Sequence, residues 1–213
     1  MIIPFRKGNR ETFFLVHYRA TLLISISLII LSYFFADIPI AKYFESPSLP
    51  WKDLWVIVTD LIDPQYNYFA WPLLLFLIRY IFKQKVWGNR MLLVAISVPL
   101  TNLLVELLKH WLGRARPELL FSSDLYGFTF SGSTLLFQSF PSGHACTIGA
   151  ICGAFSCIYP RFSPLFLLIG LIFAFSRIVL GVHFLSDIIA GLVLGLLISQ
   201  SIYICMKKQG TQF

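Results

Sequence analysis

The sequence predicts an all-α membrane protein, a single domain over residues 1–213 built as a bundle of six transmembrane helices with an outer interfacial helix. Hydrophobic residues make up 57% of the chain, charged residues make up 13%, and the mean hydropathy is +0.77. About a quarter of the residues in a soluble domain are charged, so this composition excludes one. The 213 residues leave room for about six spans of roughly 20 residues with short connections.

Apolar runs of spanning length give the positions of the six predicted helices. They cover residues 19–36, 66–82, 91–109, 144–160, 163–180 and 184–206. Basic residues precede the first run, as they do in a signal peptide, but no small-x-small cleavage site follows the run directly. We therefore expect the first run to be a retained helix.

Basic residues in the connections predict the orientation of the bundle. Eleven of the seventeen Lys and Arg residues lie on the side that holds both predicted termini: Arg6, Lys7, Arg10, Arg19, Arg79, Lys83, Lys85, Arg90, Arg161, Lys207 and Lys208. Because cytoplasmic loops retain Lys and Arg, this side is predicted to be cytoplasmic. The same topology signal accounts for the net charge of +7 without a nucleic-acid partner.

Two outer segments are predicted to contact the membrane surface. From Trp51 to Asp63, apolar and charged residues fall on opposite faces of a helix, which suits an interfacial helix or an amphipathic turn packed on the bundle. Residues 118–140 are rich in Gly, Ser and aromatic residues. They are predicted to form a loop at headgroup level.

The cysteines and two of the four histidines are predicted to have no chemical role. The cysteines lie in apolar runs without C-x-x-C spacing, which is typical of buried structural thiols. They are Cys146, Cys152, Cys157 and Cys205. His17 and His110 are predicted to be interfacial. No group of residues has the spacing of a metal site, and no cofactor is expected.

Polar residues cluster at three places on the outer side, and each cluster needs a reason in so apolar a chain. The first is the end of the third predicted helix. Lys109 and Arg116 are seven residues apart, so both cations would share a face if the helix persisted for two turns. Such a pair suits a phosphate, since Arg offers a planar fork and Lys a compact charge. Cations that snorkel to the headgroups are the alternative.

The second cluster is Pro-Ser-Gly-His at 141–144, where the fourth predicted helix begins. A helix start offers free backbone N–H groups and the positive end of the dipole, and Gly143 lets a ligand approach closely. These features predict an anion site. Alternatively, Ser142 is an ordinary helix cap without further function.

The third cluster spans the turn into the sixth predicted helix and contains Ser176, Arg177, His183 and Asp187. The last two are four residues apart, which places them on one helical face. The carboxylate can then accept a hydrogen bond from one ring nitrogen and leave the other free to attack or to take a proton. A stabilising pair without chemistry is the alternative, and the spacing leaves open which histidine attacks.

Two charged residues lie beside these clusters. Glu106 lies one turn before Lys109, so a local ion pair between them is expected. For Arg114 three partners stay open, namely a second phosphate, a lipid headgroup or water.

The three clusters resemble the signature of the type 2 phosphatidic acid phosphatase family. Its parts K-x6-RP, PSGH and SR-x5-H-x3-D occur here as Lys109–Pro117, Pro141–His144 and Ser176–Asp187, within a motif region of 109–187. The resemblance implies a six-helix bundle and a metal-independent reaction through a phosphohistidine.

The resemblance also implies a role for each motif residue. His183 resembles the nucleophile, Asp187 resembles its orienting partner, and His144 resembles the acid that protonates the leaving oxygen. The residues that resemble the phosphate cradle are Lys109, Arg116, Ser142, Gly143 and Arg177.

The activity that the resemblance implies is hydrolysis of a lipid mono- or diphosphate at the outer face of a bacterial cytoplasmic membrane. Bacterial family members act on undecaprenyl diphosphate, phosphatidylglycerol phosphate, phosphatidic acid or lipid A phosphates, and the motifs do not choose among these. A phosphotransferase, in which an alcohol replaces water, is one alternative. A non-catalytic lipid-phosphate binding protein is another, although binding alone does not require His144 or the pair of His183 and Asp187.

Overall fold

The computed structural model describes residues 20–45 and 52–213. All regular elements in these ranges are helices, and an isolated bridge between Arg114 and Phe128 is the one strand-like pairing within them. The helices are α1 (Ala20–Phe44), α2 (Lys52–Asp60), α3 (Pro64–Phe76), α4 (Lys85–Leu112), α5 (Pro117–Ser123), α6 (Gly143–Ile158), α7 (Ser163–Val179) and α8 (Leu185–Lys208). π-Helical turns lie at Ser32–Ala36 and Leu77–Ile81, and 3-10 turns lie at Leu135–Phe137 and Pro160–Phe162.

Four helices in the described ranges are long and apolar enough to cross a membrane. They are Ala20–Phe44, Lys85–Leu112, Pro160–Val179 and Leu185–Lys208. Helix α6 is apolar but shorter, and α3 has Gln65 and Asn67 near its start. Large apolar side chains such as Phe34 and Leu103 are exposed, as expected of a surface that faces lipid. A fold of membrane-spanning helices is confirmed, whereas the count of six spans stays a prediction.

Helix α6 occupies the centre of the fold and packs against α4, α7 and α8. Its backbone approaches α8 closely: a Cβ on Gly195 would overlap the Cys146 carbonyl, and a Cβ on Gly149 would overlap the backbone of Leu192. Small residues at such crossings allow membrane helices to pack tightly. The starts of α6 and α8, which contain two of the motif clusters, are brought together by this packing.

The end of the fold opposite the motif clusters is basic. Arg79 Nη1 donates to Asn89 Oδ1 at 2.9 Å, and Arg90 Nη1 donates to the Tyr159 hydroxyl at 2.8 Å. These bonds join the end of α3, the start of α4 and the end of α6. The motif clusters and the basic connections therefore lie at opposite ends of the helices, as the sequence predicts.

The predicted helices have the right order, and most boundaries agree within three residues when the π-helical turn after α3 is counted with that helix, but two boundaries differ by more. Helix α1 continues to Phe44 instead of ending at residue 36, and it contains Asp37, which is fully buried and paired inside the protein. Helix α4 begins at Lys85 instead of residue 91. Several residues used in the sequence analysis lie outside the described ranges, namely Arg6, Lys7, Arg10, His17, Arg19 and Trp51.

The two outer segments contain short helices. Helix α2 lies in the amphipathic segment and packs against α7, with Thr59 and the following Ile62 buried while Leu54 is exposed. Its place in the membrane interface stays a prediction. The predicted loop at 118–140 includes most of α5 and a 3-10 turn.

The four cysteines are free thiols, as predicted, but their burial differs. Cys146 and Cys152 are buried and Cys157 is half-buried. Cys205 is exposed, so the prediction of a buried thiol is wrong there.

Candidate active site

The first cluster lies where α4 ends. Gly113 adopts a left-handed conformation with a φ of 55°, and a Cβ there would collide with the backbone of Ser131. Glycine therefore ends α4 at Leu112, and Arg116 follows in extended backbone at the start of α5. The prediction that Lys109 and Arg116 share one helical face is wrong.

Lys109 and Arg116 nevertheless reach one region by separate routes. Lys109 Nζ lies 3.5 Å from the point where a Cβ on Gly143 would stand. It also pairs with Glu106 at 2.9 Å, which confirms the expected ion pair. The Arg116 side chain makes no hydrogen bond or ion pair within the described ranges, and its Nε is buried. Burial lowers the pKa of Arg116, which Asp187 partly opposes.

Ser142 caps the start of α6. Its hydroxyl is fully buried and accepts the Ala145 N–H at 3.5 Å, so the cap that the sequence left as an alternative is present. Among the residues described, the backbone N–H groups of Gly143 and His144 have no acceptor. Two N–H groups and the positive end of the helix dipole are thus available to an anion.

His144 lies between cations and a carboxylate that the sequence analysis did not assign to the site. Three cations and the second histidine lie within electrostatic range of its ring, namely Lys109, Arg116, Arg177 and His183. Its Nε2 lies 3.8 Å from Asp63 Oδ2. The other oxygen of Asp63 accepts the Gln65 N–H at 2.7 Å and caps α3. The corner between α2 and α3 therefore borders the site.

Arg177 lies in the last turn of α7, beside the same corner. Its Nη1 donates to Thr59 Oγ1 at 2.8 Å, and its carbonyl accepts the His183 N–H at 3.3 Å. Its Nε is buried and has no partner in the part of the chain that the structure describes. The neighbouring Ser176 donates to the Phe173 carbonyl at 2.5 Å, which ties it to its own helix.

His183 and Asp187 are close, although not through the helical face that the sequence predicts. Phe184 is the N-cap of α8, so His183 precedes the helix. His183 Nδ1 lies 3.5 Å from Asp187 Oδ2 and 3.4 Å from Ser139 Oγ, and this serine donates to Asp187 Oδ2 at 2.6 Å. Since Nδ1 faces the carboxylate, Nε2 is the nitrogen left for a substrate.

The surroundings of His183 keep its ring uncharged. Burial lowers the pKa of His183 to about 4; the charges of Arg116 and Arg177 add to this shift, and Asp187 opposes it. The ring is therefore neutral near pH 7. A neutral imidazole that donates through Nδ1 carries a lone pair on Nε2, which is the form a nucleophile needs.

Arg114, for which the sequence left three partners open, is fully buried beside this pair. Its Nη1 pairs with Asp187 Oδ1, and its Nη2 pairs with Asp37 Oδ2 on α1 at 2.6 Å. Ser186 and Tyr126 hydrogen-bond to both Arg114 and Asp37. Burial lowers the pKa of Arg114, but Asp187 and Asp37 outweigh it and hold the pKa above its ordinary value. The partners of Arg114 therefore lie inside the protein, instead of at a phosphate, a headgroup or the solvent.

The sequence prediction of this site did not include Asp37, Asp63, Ser139 or Ser186. The one available signal was Asp37, because a carboxylate that interrupts an apolar run needs a partner. The two serines carry no such signal. Within the described ranges, no three His, Cys, Asp or Glu side chains form a group suited to a metal ion.

Comparison with known proteins agrees with the geometry. The model of the PAP2 superfamily matches residues 90–211. Lipid A 1-phosphatases of Rhizobium etli and Rhizobium johnstonii are 32% and 31% identical to this chain, over 84% and 93% of its length and 81% and 84% of theirs. A crystal structure of a transmembrane PAP2-type phosphatidylglycerolphosphate phosphatase from Bacillus subtilis shares the fold, with a TM-score of 0.63 and 23% identity over 91% of this chain and 97% of that chain. Because the family model spans all three clusters and more than half of the chain, the protein belongs to the PAP2 superfamily of membrane phosphatases.

Proposed function

We propose that the protein removes phosphate from a lipid phosphate, with His183 as the nucleophile and water as the final acceptor. One observation carries this proposal: the Arg116 guanidinium, without a partner in the described ranges, lies within electrostatic range of the His183 ring, whose Nε2 is free. A phosphate ester would supply the oxygen acceptors that Arg116, Arg177 and the N–H groups of α6 lack. Cations arranged in this way stabilise the charge that develops on phosphoryl oxygens.

The reaction has two steps. In the first, His183 Nε2 bonds to phosphorus and the bond from phosphorus to the lipid oxygen breaks, while His144 gives its proton to that oxygen. In the second, water attacks phosphorus and gives a proton to His144, the nitrogen–phosphorus bond breaks, and inorganic phosphate leaves. Lys109, Arg116 and Arg177 hold the phosphoryl oxygens throughout.

Asp187 and Ser142 support these steps. Asp187 accepts Nδ1–H of His183, so that the lone pair stays on Nε2 and the positive charge of the phosphorylated ring has a partner. The Ser142 hydroxyl fixes the first turn of α6, which aims the Gly143 N–H at the phosphate. The contact between Ser142 and phosphate that the family resemblance implies is untested.

Replacing the nucleophile tests the mechanism. His183→Ala should lower phosphate release by about 10,000-fold or more, because the nitrogen that bonds to phosphorus would be missing. His110→Ala is the matched control, because this histidine lies beside Lys109 at the end of α4 but its side chain is exposed. Unchanged release by folded His183→Ala would refute the assigned nucleophile. If EDTA abolished activity and magnesium restored it, the metal-independent mechanism would be wrong.

A panel of lipids tests the substrate. Lipid A carrying a 1-phosphate is our first candidate, because the relatives that are 32% and 31% identical are named lipid A 1-phosphatases. Purified protein in detergent is assayed with lipid A, undecaprenyl diphosphate, phosphatidylglycerol phosphate and phosphatidic acid. The highest kcat/KM on another lipid would overturn this choice and leave the mechanism intact. Phosphate release that strictly required an added alcohol would indicate a phosphotransferase. Binding of a lipid phosphate without turnover would indicate a binding protein.

We also propose that the active site faces the outer side of the membrane, with both termini in the cytoplasm. The support is the separation of the motif clusters from the basic connections at the other end. A membrane-impermeant maleimide should label Ser123→Cys but not Lys208→Cys in intact cells, with the four native cysteines replaced. The reverse pattern would refute the orientation and leave the chemistry untouched.

A further inference from the structure

Three charged side chains with no solvent exposure form a chain from α1 to the active site, namely Asp37, Arg114 and Asp187. We infer that Asp37 is a positioning residue for the reaction and acts through Arg114 on the carboxylate that orients His183. This inference rests on the proposed function. It gives a role to α1, which lies outside the range 90–211 that the family model matches.

Arg114 divides its guanidinium between the two carboxylates. Nη1 pairs with Asp187 Oδ1, and Nη2 pairs with Asp37 Oδ2 at 2.6 Å. The other oxygen of Asp187 faces His183 Nδ1 at 3.5 Å and accepts from Ser139 at 2.6 Å. Arg114 holds one oxygen while Ser139 and the Phe184 N–H hold the other, so together they keep the second oxygen directed at His183.

The charges of the three residues sum to one net negative charge. Without Asp37, the charge of Arg114 would cancel that of Asp187. The carboxylate would then be less able to stabilise the positive ring that forms when His183 Nε2 bonds to phosphorus. Asp37 offsets Arg114 and keeps a net negative charge beside the ring.

Aromatic rings enclose the cluster and strengthen this electrostatic effect. Arg114 Cζ lies 4.7 Å from the ring centroid of Phe184 and 5.0 Å from that of Tyr33. The Tyr126 hydroxyl lies 2.6 Å from the Tyr33 carbonyl and 3.1 Å from Asp37 Oδ2. Rings stabilise a guanidinium and exclude water, and charges interact more strongly where water is absent.

Two variants separate the charge of Asp37 from its contacts. Asp37→Asn removes the charge with little change of shape, and Tyr126→Phe removes hydrogen bonds from the same cluster but leaves its charge. We expect Asp37→Asn to lower kcat for phosphate release roughly 100-fold with KM within about threefold. Tyr126→Phe should lower kcat less than about fivefold. An Asp37→Asn protein with the kcat of wild type would overturn the inference.

A double variant tests the charge balance directly. Asp37→Asn combined with Arg114→Gln restores one net negative charge, and the Gln amide can still donate a hydrogen bond that holds Asp187. If the charge matters, kcat of the double variant should exceed that of Asp37→Asn at least about tenfold. If Asp37 only anchors α1, the double variant should be worse than the single one, since a second contact is lost. A folded double variant no more active than Asp37→Asn would overturn the inference.

A third variant decides the question if Asp37→Asn does not fold, as judged by thermal unfolding in detergent. Asp37→Glu keeps the charge, and a kcat within about tenfold of wild type would support the inference. A folded Asp37→Glu protein with a loss of more than about 100-fold would overturn it. Wild type and His183→Ala are measured in parallel. Failure of wild type to release phosphate, or full activity of His183→Ala, would count against the proposed function and not against the role of Asp37.

Discussion

Arg114 and Arg116 are two residues apart in Gly-Arg-Ala-Arg-Pro at 113–117, yet their environments are opposite. Arg114 is fully buried and bonds to four described side chains, those of Asp37, Tyr126, Ser186 and Asp187. Arg116 is half-buried and bonds to none within the described ranges. A cation such as Arg114, whose anionic partners are inside the protein, stabilises the fold. A half-buried cation without such partners can bind an anionic substrate, as we propose for Arg116.

The largest effect expected from this comparison is a loss of stability when Arg114 is replaced. Arg114→Ala should reduce the free energy of unfolding by about 3–5 kcal/mol, because two buried carboxylates would lose their partner. Thermal or denaturant unfolding in detergent measures the change. Arg116→Ala is the matched control and should unfold within about 1 kcal/mol of wild type. Equal stability of the two variants would contradict the contrast between the two arginines.

The activity of the Arg116 variant tests the other side of the comparison. Arg116→Ala should lower kcat/KM for phosphate release about 100- to 1000-fold, since one donor to the phosphoryl oxygens is removed. Arg161→Ala, exposed at the opposite end of the fold, should match wild type. An Arg116→Ala protein that hydrolyses lipid phosphate at the normal rate would remove the observation on which the proposed function rests.

The sequence was sufficient for what depends on local patterns. Apolar runs predicted the order of the helices, and the signature spacing predicted the residues that gather around His183. The pair of Glu106 and Lys109 was predictable for the same reason, because three residues separate its members on one helix.

The rest could not be predicted, because it depends on contacts between distant residues. Asp37 pairs with Arg114 across 77 positions and with Ser186 across 149. A lone Asp in an apolar run indicates that a partner exists but does not identify it. The turn at Gly113 also broke the helix on which the shared face of Lys109 and Arg116 depended.

A smaller loss of activity is expected from a change at the corner between α2 and α3, which lies beside His144. Asp63→Asn keeps an N-cap of α3 but removes the negative charge 3.8 Å from His144 Nε2. We expect kcat to fall about tenfold with little change in stability, since His144 would lose a neighbouring anion that opposes its three neighbouring cations. Asp53→Asn, exposed in the first turn of α2, is the control. Equal kcat in both variants would exclude Asp63 from the site.

The smallest effect is expected at Glu106, whose carboxylate pairs with Lys109 but is 60% exposed. Because an exposed pair contributes little, Glu106→Gln should change the free energy of unfolding by less than about 1 kcal/mol. It should lower KM for a lipid phosphate about two- to threefold in low salt, since Lys109 would no longer share its charge, and the gain should vanish in high salt. Glu45→Gln, which makes the same charge change just after the end of α1, is the control. An equal fall in KM in both variants would show that net charge alone attracts the substrate. A large loss of stability in Glu106→Gln would instead show that Lys109, like Arg114, stabilises the fold.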